Sequence, residues 1–173
     1  SNLGLTAKNF VLATVHRASN TDNVDNLKTL LESLSLVAET IPVVMPLHPR
    51  TKKVMAENNL GSVYTGINFI DPVGYLDMVV LQENSRLIAT DSGGVQKEAY
   101  FFNKPCIILR PETEWIEILE TGMAKLVSAN FNMIIDTFND FISKKEKTFP
   151  LIFGDGNAAA FICQKLFENQ KNK

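Results

Sequence analysis

Short apolar runs alternate with stretches of helical spacing along most of the chain. Residues 10–15 (FVLATV) are apolar and partly β-branched, which predicts a buried strand. The polar segment HRASNTDN predicts a loop, with Asp22 or Asn23 capping a helix over 24–40. Within that helix Leu27, Leu30, Leu31, Leu34 and Val37–Ala38 fall on one face. The same reading predicts strands over 41–47, 63–70, 87–90, 106–109 and 125–127. Helices are predicted over 51–58, 74–84, 95–102, 113–120, 134–144 and 157–171, with Gly122 suited to the position just past a helix end. Strict alternation of short strands and helices predicts a parallel α/β sheet covered on both faces. In such sheets ligands bind beyond the carboxyl ends of the strands. The motifs HRASN, HPRT, DSGG and RPETEW follow the first, second, fourth and fifth predicted strands, so four loops are expected to converge on one edge.

The stretch TDSGGVQKEA, beginning at Thr90, carries the most chemistry. A strand, a Ser-Gly-Gly turn and a helix start together suit an anion. The first helical N–H groups have no partner within the helix, and the helix dipole favours negative charge there. Gly93 and Gly94 let a bulky ligand approach the backbone. Ser92 either caps the helix or donates to a phosphate oxygen. Glu98, one turn further on, is placed to accept from ribose hydroxyls. The same turn also suits an ordinary capped connection.

Composition narrows the picture. The chain has 173 residues, 45% hydrophobic and 21% charged, with a formal net charge of −2, which suits one good-sized globular domain and no basic nucleic-acid surface. No apolar run is long enough for a membrane-spanning helix and no N-terminal signal is recognised. Cys106 and Cys163 lie far apart in apolar contexts and read as buried thiols in a reducing, cytoplasmic compartment. Ser1-Asn2, without an initiator Met, reads as a remnant of tag cleavage, so the chain is expected to be an excised domain.

Two His-Arg pairs stand at strand ends. His16-Arg17 suits a diphosphate clamp with a proton-transferring His, or a surface pair at a helix entry. His48-Pro49-Arg50-Thr51 offers a second pair on a Pro-stiffened loop. In Arg110-Pro111-Glu112-Thr113-Glu114-Trp115, Thr113 is a candidate N-cap, and Glu114 and Glu117 suit the positive end of the dipole. Thr113 and Glu114 either face a sugar or simply start a helix in which Trp115 packs. Metal-ligand spacing, a nucleophile elbow, GxGxxG and GxxxxGKS are all missing from the sequence, so no metal or cofactor is expected.

Taken in order, these motifs resemble the non-hydrolysing UDP-N-acetylglucosamine 2-epimerase family, over residues 10 to about 166 and only its C-terminal half. HRASN resembles the family's HRxEN, PLHPRT its PxHP segment, DPVGYLDM its uracil-side loop, TDSGGVQKEA its TDSGGxQEEA signature, and FGDGNAA its GDGxA helix start. The resemblance implies a Rossmann-like sheet, the C-terminal half of a glycosyltransferase-B-type fold, with residues 1–173 as a single UDP-binding domain. It implies inversion at C2 of a UDP-hexosamine by elimination and re-addition of UDP through a 2-acetamidoglucal. Carried over, Ser92, Gly93 and Gly94 hold phosphates, Glu98 holds ribose, and His16 is the catalytic candidate. Arg17, His48, Arg50, Met78, Arg110, Thr113 and Glu114 complete the expected substrate contacts. The remaining acidic catalytic groups are expected on a missing N-terminal domain, and the isolated domain is expected to be inactive. A homodimer of the full-length protein is implied. Ser19, Lys97, Trp115 and Met78 depart from the family pattern. The Thr-Glu-Trp form resembles members acting on modified sugars such as a 2,3-diacetamido uronic acid. A glycosyltransferase of the same architecture, or a binding module without catalysis, are the competing readings.

Overall fold

The apolar runs form β1 (Val11–Thr14), β2 (Val43–Pro46), β3 (Ile67–Ile70), β4 (Leu87–Thr90), β5 (Cys106–Ile108) and β6 (Ala124–Leu126). They pair in parallel in the order β3-β2-β1-β4-β5-β6. The structure, a computed structural model, describes residues 6–144 and 148–171, with side chains through 168; Ser1-Asn2 lies outside the described residues. The helices are α1 (Ala18–Thr21), α2 (Val24–Ala38), α3 (Pro49–Glu57), α4 (Tyr75–Asn84), α5 (Gly93–Phe101), α6 (Ile116–Glu120), α7 (Phe131–Ser143) and α8 (Ala158–Lys171). None of the described helices is long and apolar enough to cross a membrane.

The alternation of side chains along each strand separates two cores. Val11, Ala13 and Val15 join Val43, Met45, Leu87 and Ala89 on the face covered by Leu27, Leu30, Leu34 and Phe138. Leu12, Val44, Ile88 and Ile108 point the other way, against Leu81, Ala99, Tyr100 and Ile118. Strands buried on both faces explain why they read as continuous apolar runs. The fold is the expected Rossmann-like sheet with helices on both faces. From β1 the chain winds outward through β2 to β3, then returns to β4 on the other side of β1. That reversal opens a crevice at the carboxyl ends of β1 and β4.

Several local expectations are corrected. The expected strand over 63–70 is β3 only from Ile67, because residues 63–66 turn and the Ile67 N–H bonds back to the Tyr64 carbonyl. α3 begins two residues early, with Pro49 in its first turn and His48 as N-cap. Asn23, not Asp22, caps α2 by accepting from the Asp25 and Asn26 N–H groups. The loop expected at HRASN holds the one-turn helix α1. Gly122 takes the left-handed conformation just past α6, as its sequence position requires.

Candidate nucleotide site

β1 and β4 run in register, with Thr14 opposite Thr90 and their hydroxyls 2.5 Å apart. The residues beyond them therefore face each other. Asp91 follows β4 and is fully buried. Its carboxylate accepts from the His16 N–H at 2.9 Å, the Arg17 N–H at 2.9 Å and the Asn20 Nδ2 at 3.0 Å. Asn20 also donates to the Leu109 carbonyl at 2.9 Å, so one amide bridges the loops after β1, β4 and β5. A buried carboxylate without such donors would cost several kcal/mol (roughly 1–3 for each unmet hydrogen-bonding group). Sequence reasoning missed Asp91 and Asn20 as organisers, although an Asp at the carboxyl end of an apolar strand was a visible signal.

The His16 Nδ1 lies 3.4 Å from the Asp91 Oδ1. The His48 ring stacks on it, with centroids 5.2 Å apart and planes at 29°. The HPRT loop is fixed against β1: the His48 Nδ1 accepts from the Arg50 N–H at 3.2 Å, and the Thr51 hydroxyl donates to the Val15 carbonyl. Both imidazoles line a cleft of about 220 Å³ whose remaining wall, Thr14 aside, is apolar, including Pro46, Pro72, Val73, Met78 and Val95. Burial holds the His16 pKa below the ordinary histidine value; Asp91 opposes that shift, while His48 and Arg17 add to it. The Arg17 side chain is exposed, and Arg50 pairs with Asp22 at 2.6 Å.

The second part of the site is the start of α5. Ser92 is its N-cap and accepts from the Val95 N–H at 3.5 Å. A Cβ on Gly93 would stand 3.1 Å from the Glu114 Oε2, so glycine keeps this approach open. Gly94 is the next residue in that first turn. Arg110, nearly buried, donates bidentately to Glu114 at 3.0 Å through each nitrogen, and this holds the Glu114 carboxyl below the usual range. The Trp115 Nε1 donates to the Gly93 carbonyl at 2.8 Å. Glu98 accepts from the buried Gln82 Nε2 at 2.7 Å.

Thr113 is not the N-cap of the following helix: α6 starts three residues later, behind Trp115. Its hydroxyl instead accepts from the Trp115 N–H at 3.1 Å and bonds the Gln96 Oε1 at 2.5 Å, which knits RPETEW to α5. Lys97 and Trp115 meet in space, the Lys97 Nζ lying 4.3 Å from the Trp115 ring centroid and 4.6 Å from that of Phe153. Of the cysteines, Cys106 is buried and burial pushes its thiol pKa up. Cys163 is exposed on α8, against expectation, because α8 presents its apolar residues outward.

The site thus joins an apolar cleft, two stacked imidazoles and a glycine-opened helix start, all at the switch point. Comparison with known proteins identifies the family. The profile of the UDP-N-acetylglucosamine 2-epimerase family matches residues 1–167. The chain is 42% identical over 168 residues to UDP-2,3-diacetamido-2,3-dideoxy-D-glucuronate 2-epimerase of Pseudomonas aeruginosa, covering 96% of this chain and 47% of that protein. The structure of UDP-GlcNAc 2-epimerase from Methanocaldococcus jannaschii superimposes with a TM-score of 0.89 at 37% identity, covering 96% of this chain and 48% of that one. The same enzyme in complex with UDP-GlcNAc and UDP gives 0.78 at 37% identity, over 92% and 45%. In fold alone, heptosyltransferase WaaC of E. coli with ADP is also similar, with a TM-score of 0.56 at 13% identity over 82% and 45%. The chain spans about half the length of the curated relatives it matches. On the match of its sequence and its sheet, the chain belongs to the UDP-N-acetylglucosamine 2-epimerase family.

Proposed function

We propose that this chain forms the UDP-binding part of a UDP-sugar 2-epimerase, with UDP-N-acetylglucosamine as substrate. The observation that carries the reading is the adjacency, at one switch point, of the His16–His48 cleft and the α5 N-terminus. The apolar wall from Pro72, Val73 and Met78 suits a flat uracil. Gly93 and Gly94 bind the diphosphate with their N–H groups and the helix dipole, beside the Ser92 hydroxyl, while the Ser92 N–H itself is held by the Thr90 hydroxyl at 2.9 Å. Glu98, already oriented by Gln82, accepts from the ribose hydroxyls. Arg17, His48, Arg50, Arg110, Thr113 and Glu114 border the phosphates and the sugar.

The chemistry follows from charge. Expulsion of UDP from C1 puts negative charge on the diphosphate, and fixed dipoles and cations at that spot lower the barrier most. His16 handles the proton, its lowered pKa keeping a neutral imidazole available near pH 7. UDP then re-forms its bond to C1 of the 2-acetamidoglucal while a proton returns to C2 on the face opposite the one it left, which inverts C2. The acidic groups this requires belong to a second domain outside this chain, so residues 1–173 alone bind UDP without turnover. In this reading the full-length protein is a cytoplasmic homodimer.

A second substrate is favoured by a specific observation. The relative from P. aeruginosa is named for a 2,3-diacetamido glucuronate. The test is to incubate the full-length protein with UDP-N-acetylglucosamine and, separately, with the diacetamido uronate, following C2 by NMR. Epimer formed from the first establishes the reading, and epimer from the second alone moves it to the modified sugar. A transferred sugar, or no product from either, refutes it. Turnover by residues 1–173 alone would refute the dependence on a second domain.

A further inference from the structure

We propose that Asp91 is a positioning residue for His16, holding the imidazole with its proton on Nδ1 and leaving Nε2 as the nitrogen that meets the substrate. The inference rests on the reading of His16 as the proton-handling group.

The loop carrying His16 is fixed by Asp91 through the backbone N–H groups of His16 and Arg17. The ring itself then has a close neighbour on two sides. Its Nδ1 is 3.4 Å from the Asp91 Oδ1, and the His48 ring covers one face. A neutral imidazole carries one N–H, and the partner of one nitrogen decides which nitrogen stays bare. An ionised carboxylate only accepts, so it selects the Nδ1–H form and leaves the Nε2 lone pair for the cleft that His16 lines. Asn20 holds the carboxylate in turn, and its second bond, to the Leu109 carbonyl, keeps the amide from rotating away. The groups facing the imidazole are Asp91, His48 and Arg17; Asp91 favours the protonated form, and the other two oppose it.

A purely structural Asp91 would hold the loop and nothing more. The two roles separate in the ring itself. In the 173-residue chain with 15N-labelled histidine, long-range 1H–15N spectra report the tautomer and pKa of His16. The neutral wild-type ring is expected to carry its proton on Nδ1. In Asp91→Asn the Nδ1–H share is expected to fall, and the His16 pKa to drop by about one unit, as follows from loss of a nearby opposite charge. A wild-type ring protonated on Nε2 overturns the proposal, and this measurement decides it even if Asp91→Asn does not fold. A folded Asp91→Asn with unchanged tautomer and pKa overturns it as well. In the full-length enzyme, Asp91→Asn is expected to lower kcat by about 10²-fold, with little change in KM and the acid limb of the rate profile moved to lower pH. An unchanged kcat overturns the positioning role. A wild-type enzyme without epimerase activity defeats the functional reading alone, and the tautomer still decides the Asp91–His16 coupling.

Discussion

Two helices of this molecule start at glycines, α5 with Gly93-Gly94 as its first residues behind the cap Ser92 and α8 shortly after Gly154-Asp155-Gly156, and the glycines serve opposite ends. At α5 the constraint is space. Glu114 would stand 3.1 Å from a Gly93 Cβ, and Trp115 reaches the Gly93 carbonyl. At α8 nothing stands within 4 Å of an added Cβ, but Gly154 and Gly156 have φ of +84° and +85°, where an L side chain is strained. The turn before α8 is closed locally, the Asp155 carboxylate accepting from the Asn157 N–H at 2.9 Å. The turn before α5 is closed by the rest of the domain. The lesson is that a glycine pair before a helix marks a binding seat only where neighbouring loops crowd around it.

The largest effect that separates the two regions lies beside α5. In the full-length enzyme, His16→Asn is expected to lose about 10²-fold or more in rate while its melting temperature holds. A lower melting temperature with activity per folded molecule intact would make His16 structural and erase the contrast. Next, Glu98→Gln is expected to weaken UDP binding to this chain by about 1–3 kcal/mol, the range for a hydrogen bond to a charged group. Calorimetry should give Asp155→Asn the wild-type affinity, and equal losses in both variants would make the α8 turn part of the site.

Smaller still, Gly156→Ala is expected to cost about 1–2 kcal/mol of stability from the left-handed backbone and to leave UDP affinity alone. Gly93→Ala should do the reverse, weakening UDP with little change in denaturant midpoint. Swapped outcomes would reverse the assignment of the two glycines. The smallest effect is on pH. Because His16 has a folded pKa below the 6.5 of an ordinary histidine, the unfolded chain binds more protons as pH falls through that value. Its contribution is therefore fully present above pH 6.5 and lost as pH falls toward the folded pKa. Denaturation curves over that window should flatten in His16→Asn, whereas an unaltered slope would trace the loss to other groups.

What the sequence revealed and what it hid follow the range of the forces involved. β1, β4 and α2 were legible because burial writes itself as uninterrupted or 3.6-spaced apolar residues. α1 was not, because four residues do not make a helix alone; Asp91 and Asn20 hold it through bonds spanning more than seventy positions. Thr113 misled because a Thr before two acidic residues spells a cap, while the fold uses its hydroxyl to bind Gln96. The four converging loops were read correctly, since strand alternation dictates which edge they share. The His16–His48 stack was not foreseen, because the strand order that makes β1 and β2 neighbours is not written locally.

Trp115 is the single tryptophan of the chain, and its indole N–H is bonded to the Gly93 carbonyl at the start of α5. Lys97 rests on the same ring. Indole emission responds to a hydrogen bond on its nitrogen and to a cation over its face, so the protein carries its own optical probe beside the proposed diphosphate seat. Ligand entry can therefore be timed by stopped-flow fluorescence in the unlabelled protein, and under excitation selective for indole any signal that UDP produces originates from one known residue.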